Sequence, residues 1–199
     1  MVAPTHGRPS SPRGGTPSPA LEDGTGNHDR RHSNRTATLG RMPTPEFIRE
    51  LREQVGHSEL FLPGVTAVVF DDEGRVLLNL RSDTGRWALI AGIVEPGEQP
   101  AETAVREALE ETGVRAVAER VVLVQTTRTV TYPNGDKAQF FDITIRCRSV
   151  GGEARVADDE SLEVGWFALD ALPDLNDRHL FCIKHALTDD PTWFEPAAT

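Results

Sequence analysis

The stretch GIVEPGEQPAETAVREALEETGV, residues 92–114, constrains the fold more than any other part of the chain. Pro100 suits the first turn of a helix and Gly113 a left-handed stop, so the spacing predicts a helix over residues 100–112. Within it Ala101, Ala104, Val105, Ala108 and Leu109 recur at i, i+3, i+4, i+7 and i+8, an apolar stripe that another layer has to cover. On the far side Glu107, Glu110 and Glu111 fall within an arc of roughly 100°. Carboxylates at these spacings repel one another, and Arg106, four residues after Glu102 and four before Glu110, is the one cation placed to hold them. The chain therefore needs a layer for the helix to rest on and a further cation for its acidic face.

Strand-like runs supply the layer. GVTAVVF and RVLLNLR flank the turn DDEG and read as a hairpin, and Trp87 to Ala91 reads as another short strand. VVLVQTTRTVTY and AQFFDITIRC flank PNGD, where Asn134-Gly135 marks a tight turn. In the second run Phe141, Ile143, Ile145 and Cys147 alternate with polar neighbours, the pattern of a strand with one buried face. SLEVGWFAL is one more strand and DRHLFCIKHAL a closing helix. Ahead of them all, TPEFIRELREQVG predicts a helix over residues 44–55, with Thr44 as N-cap, Pro45 in the first turn, a stripe of Phe47, Leu51 and Val55, and Gly56 as its end. That helix could cap its own sheet or pack across the boundary of a homodimer. The fold class is α/β, a mixed sheet with helices against it.

The length of 199 residues and a hydrophobic fraction of 38% suit one domain, expected over residues 42–190 and followed by a C-terminal tail at 191–199. Residues 1–41 are rich in Pro, Gly, Ser, Thr, Arg and His and are expected to be a disordered extension, with Met42 as an alternative start. A net charge of −10 disfavours nonspecific binding to nucleic acid or anionic membrane. Cys147 and Cys182 form no Cys-x-x-Cys pair and no apolar run approaches the ~18 residues of a membrane span, so a cytoplasmic protein is expected. His179 and His185, six apart in a helix, lie on different faces and receive no role.

Clustered carboxylate oxygens suit Mg2+ or Mn2+, which complete their shells with water and phosphate oxygens. Gly92 and Gly97 bracket a loop where backbone can approach a metal or ligand, and Glu98 projects from it just before the helix. Gly92, five residues, Glu98, seven residues and then REALEETGV resembles the Nudix box at every fixed position: Arg106, Glu107, Glu110, Glu111, Gly113 and the apolar Val114. The surrounding strand order resembles that family's fold, an α/β/α sandwich with a mixed sheet, over roughly residues 60–170.

The resemblance implies hydrolysis of a nucleoside diphosphate linked to another group. Glu107, Glu110 and Glu111 would hold Mg2+, or Mn2+ in its place, with help from the Gly92 carbonyl, and Glu98 would lie beside the cluster. Water would be the nucleophile, activated by a box glutamate or by a glutamate outside the box, Glu160 or Glu163. Arg81 is a candidate phosphate contact, and Trp87, Tyr132, Phe140 and Trp166 are candidate stacking partners for a base. Many relatives carry Pro and Gly where this chain has Ile90 and Ala91. The dipeptide Ala91-Gly92 resembles the ADP-ribose and NADH pyrophosphatase branches, although the four-cysteine zinc site of the NADH branch is missing. ADP-ribose or a nucleotide sugar is thus the favoured substrate, a nucleoside triphosphate the next, and a non-catalytic ligand-sensing module the alternative outside enzymology.

Overall fold

The computed structural model describes residues 44–197. The expectations for residues 1–41 and for Met42 lie outside the described residues. Helix α1 (Glu46–Val55) precedes β1 (Glu59–Phe70), β2 (Val76–Arg81), β3 (Trp87–Ala88) and β4 (Ile90–Ile93). Helix α2 (Pro100–Thr112) leads into β5 (Val114–Thr126), β6 (Val130–Thr131), β7 (Lys137–Gly152) and β8 (Ser161–Phe167). Helix α3 (Asp177–Leu187) and β9 (Trp193–Phe194) close the chain.

The strands form one mixed sheet, with β1 and β7 running parallel at its centre and β5 antiparallel to β7. Hairpin β1–β2 forms as expected, and β8 returns antiparallel to β2. The single strand expected over Trp87–Ala91 is split at Leu89, because its first part pairs with β2 and its second with β1. The run read as one strand over residues 121–132 is also broken. Thr127 turns out of the ladder there, its N–H bonded to the Phe140 carbonyl at 2.8 Å and its hydroxyl accepting from the Phe140 N–H at 3.0 Å. Part of the expected tail is ordered into the sheet, since Trp193 pairs beside Leu123 and its ring packs edge-on against Phe181.

Both faces of the sheet are covered, giving the three-layer α/β/α sandwich. On one face Ala104 and Ala108 of α2 pack against Val65, Ala67, Ile90, Ile145 and Cys147. On the other, Cys182, Ile183 and Ala186 of α3 pack against Val68, Phe70, Leu78 and Leu123. In β7 Ile145 and Cys147 are buried as expected, but Phe141 is half exposed near the start of the strand and the polar Asp142 and Thr144 are buried too, because both faces of the sheet are covered.

Two helix stripes differ from the sequence reading. In α2 the buried side chains are Thr103, Ala104, Ala108, Glu111 and Thr112, while Leu109 is 48% exposed and Ala101 is exposed. Small residues at 104 and 108 let the helix approach the sheet closely, and that rotation carries Glu111 inward and Leu109 out to solvent. In α1 the buried anchor is Ile48, against Leu62 and Ala138 of its own chain, and Leu51 and Val55 remain half exposed. Pro45 rather than Thr44 occupies the cap position of α1.

Candidate active site

Arg106 is the hub of the acidic face. Its Nε and Nη2 donate to the two Glu98 oxygens at 2.6 and 3.0 Å, a two-pronged pair. Its Nη1 donates to Glu107 at 2.8 Å and to Glu110 at 3.1 Å. Glu102, expected to share this arginine, instead accepts from the Gln99 N–H at 2.8 Å and closes the first turn of α2. The paired Arg106 guanidinium holds the Glu98 carboxyl down to about 2.

Glu107 and Glu111 behave oppositely. Burial, added to the charge of neighbouring carboxylates, pushes Glu107 up to about 7 and Glu111 well above the ordinary carboxylate range. Glu111 is only 2% exposed and is held from below: Asn79 of β2 donates to its Oε2 at 2.7 Å and to the Ser161 hydroxyl at 3.2 Å. Asn79 itself is buried, with its Oδ1 unpartnered. Sequence reading missed this residue, although one polar side chain inside the apolar run RVLLNLR was the available signal. Outer partners of this kind carry about 10–100-fold in metal affinity, so Asn79→Leu is expected to weaken Mn2+ binding by that much in titration calorimetry.

Gly92 lies in β4 directly beneath Glu107. A Cβ there would fall inside the Glu107 carboxyl group, so only glycine lets the carboxylate rest against this backbone. The same cleft is lined by Gly92, Glu107, Glu110, Arg81, Asp158 and Glu160. Arg81 donates through Nε and Nη2 to Asp83 at 2.9 and 2.8 Å. Glu160 is pushed upward by burial and then by Asp158.

Among the described residues no three acidic, histidine or cysteine side chains already enclose an ion-sized space. The donor set nevertheless fits a hard divalent cation, since the charges of Glu107 and Glu160 push Glu111 upward and that of Glu160 pushes Glu107 upward, beside a backbone cradle that a Cβ would fill. Glu163 is exposed on β8, opposite Leu80. Trp87 packs elsewhere, edge-on against Phe167 with ring centroids 4.7 Å apart, as part of the core beside α3. Trp166 packs against the α2-side core. Tyr132 and Phe140 do line the cleft.

These shifts make stability pH-dependent with a definite sign. Between an ordinary value near 4.5 and about 7, folded Glu107 keeps a proton that the unfolded chain has lost. Stability of the protein in EDTA therefore falls as pH rises through that window and levels off above it, by an amount on the order of 3 kcal/mol for this group alone. Denaturant unfolding across the window checks this, and Glu107→Gln is expected to flatten the slope.

The family model for the NUDIX domain matches residues 60–186. A MutT-like protein of Streptomyces ambofaciens is 32% identical over 112 residues, covering 55% of this chain and 66% of that protein. A putative 8-oxo-dGTP diphosphatase of Bacillus subtilis is 30% identical over 115 residues, 57% of this chain and 71% of that protein. The structure of an ADP-ribose pyrophosphatase from Streptococcus suis superposes with a TM-score of 0.50 at 25% identity, over 65% of this chain and 94% of that one. Across five curated relatives the matched region spans 33% to 71% of each protein's own length. No helix among the described residues is long and apolar enough to cross a membrane. With a matching domain over most of its length, and Gly92, Arg106, Glu107 and Glu110 of the box gathered at one cleft, the chain belongs to the Nudix family of hydrolases.

Proposed function

We propose that the chain cleaves the pyrophosphate linkage of a nucleoside diphosphate derivative, with ADP-ribose or a nucleoside diphosphate sugar ahead of a nucleoside triphosphate, and that Mg2+ is its working ion. The observation that carries this reading is that Glu107 rests against Gly92 in an open cleft shared with Glu110 and Glu160, while the charges of Glu107 and Glu160 reach the buried Glu111. Glu107, Glu110, Glu111 and the Gly92 carbonyl would hold the ion. When bound, a divalent ion neutralises pyrophosphate charge and lowers the pKa of a coordinated water.

The remaining roles belong to the chain's own side chains. Arg106 fixes Glu98, Glu107 and Glu110 in one arrangement, so their orientation is set before substrate arrives. Glu98, held low by Arg106, is a poor proton acceptor and serves to orient that arginine. Glu160 is the better general base, because its raised pKa brings it toward working pH and it lines the cleft with the metal-binding acids. Arg81, braced by Asp83, stands at the same cleft as a phosphate contact.

The triphosphate reading keeps its place because of the similarity to the putative 8-oxo-dGTP diphosphatase. A panel of ADP-ribose, nucleotide sugars, NADH, nucleoside triphosphates and capped RNA, run with Mg2+ and then Mn2+, separates the two. The leading reading expects a nucleoside monophosphate and a phosphorylated remainder from a diphosphate derivative. Hydrolysis of none of the panel with either ion would contradict both.

A further inference from the structure

The face of the sheet under α3 is apolar along most of its length, through Val68, Phe70, Leu78 and Leu123. At the cleft it changes character. Gly64, Asp142 and Gln125 stand side by side across β1, β7 and β5, and Thr66 pairs with Thr144 one row deeper. Asp142, 4% exposed, accepts from the Thr66 hydroxyl at 2.8 Å and the Thr144 hydroxyl at 3.2 Å. Arg178 of α3 closes on it at 2.8 Å and donates to Thr66 at 2.9 Å.

A buried ion pair adds little stability over an apolar pair of similar volume, so docking α3 does not by itself account for this break in the core. The same corner also holds three of the five buried side-chain polar atoms that lack a partner among the described residues: Gln125 Nε2, Arg178 Nε and His179 Nδ1. Such atoms are a net loss to stability wherever they stay unpaired. Gln125, Arg178 and His179 line the cleft that also holds Gly92 and Glu107, with Phe140 beside them.

We infer that this corner is a base-recognition subsite, in which Gln125 and Arg178 donate to the carbonyl oxygen of an oxo-base, guanine or uracil in type, and the Phe140 ring lies against the base. Asp142 already receives three donors, so its part is to hold Arg178 in place. The amide and guanidinium nitrogens left without partners are donors, and they call for an acceptor on the ligand. Adenine and cytosine carry an amino group at the corresponding edge, which the Arg178 guanidinium, a donor with no acceptor, has no means to receive. An aromatic face supplies stacking for any base, which leaves discrimination to the hydrogen bonds.

This inference rests on the proposed function only in taking a nucleotide as the ligand. Titration calorimetry of the full chain without added metal, using GMP, UMP, AMP, CMP and ribose 5-phosphate, tests it. GMP and UMP are expected to bind about tenfold more tightly than the other three, the contribution of one hydrogen bond of ordinary net strength. Gln125→Leu is expected to weaken GMP and UMP binding several-fold, leave ribose 5-phosphate binding unchanged and leave the unfolding temperature no lower. Equal binding of all five, binding of none, or GMP and UMP binding unmoved by Gln125→Leu would overturn the subsite. The titration reads no turnover, so hydrolysis without base preference sinks the subsite alone, and base preference without hydrolysis sinks the hydrolase reading alone.

Discussion

Replacing Glu111 by Gln is expected to lower turnover by about 10³-fold while leaving the protein in EDTA as stable as before. The two effects part because the carboxylate has separate costs and uses. Folding gains nothing from its charge: Glu111 is 2% exposed, and burial pushes its pKa well above the ordinary range. A Gln side chain has the same shape, and its carbonyl still accepts the bond from Asn79. The charge matters when an ion is held. Losing an anionic ligand removes several kcal/mol of transition-state stabilisation, and ~4 kcal/mol corresponds to about 10³ in rate. Steady-state kinetics with Mg2+ beside thermal unfolding in EDTA reads both halves. A variant that loses stability as well as turnover would mean that Glu111 serves the core.

Gly92→Ala is expected to cost about 10²-fold in turnover, the usual consequence of displacing a reacting or ligating group by about 1 Å. Gly92 lies within β4, paired with Val65, and has no need of the left-handed region, so alanine suits its backbone. The methyl group would instead occupy the place of the Glu107 carboxyl and turn that side chain away from Arg106. The loss should therefore depend on Glu107. In a Glu107→Ala background Gly92→Ala is expected to change turnover little, a non-additivity that a general defect in folding would not produce.

Elements with a strong period were legible in the sequence. The α2 limits followed from Pro100 and Gly113, the β1–β2 hairpin from its two apolar runs, and the β7 turn from Asn134-Gly135. Of the two glutamates that helix spacing assigns to Arg106, Glu110 pairs with it and Glu102 does not, while Glu98 and Glu107 come to it through the loop before α2 and the adjacent position. What a period cannot settle is which way an element is turned. The α2 stripe was misplaced because Leu109 outweighs two alanines in hydrophobicity, whereas close packing on the sheet favours the alanines. Strands β6 and β9 are two residues each, too short to carry a pattern. Trp87 could not be assigned to core or cleft without its partner Phe167, which lies far along the chain. The row of Gly64, Asp142 and Gln125 is a property of strand register, and no single run of sequence contains it.

Hydrolysis as proposed requires that Glu107, Glu110 and Glu111 gather a divalent ion. Titration of Mn2+ into the wild-type chain, the Glu107→Gln variant and the Glu111→Gln variant tests it most directly. Saturable binding by the wild type and its loss in both variants is the expected result. Equal binding by all three chains, or none by the wild type even with a nucleotide present, would contradict it.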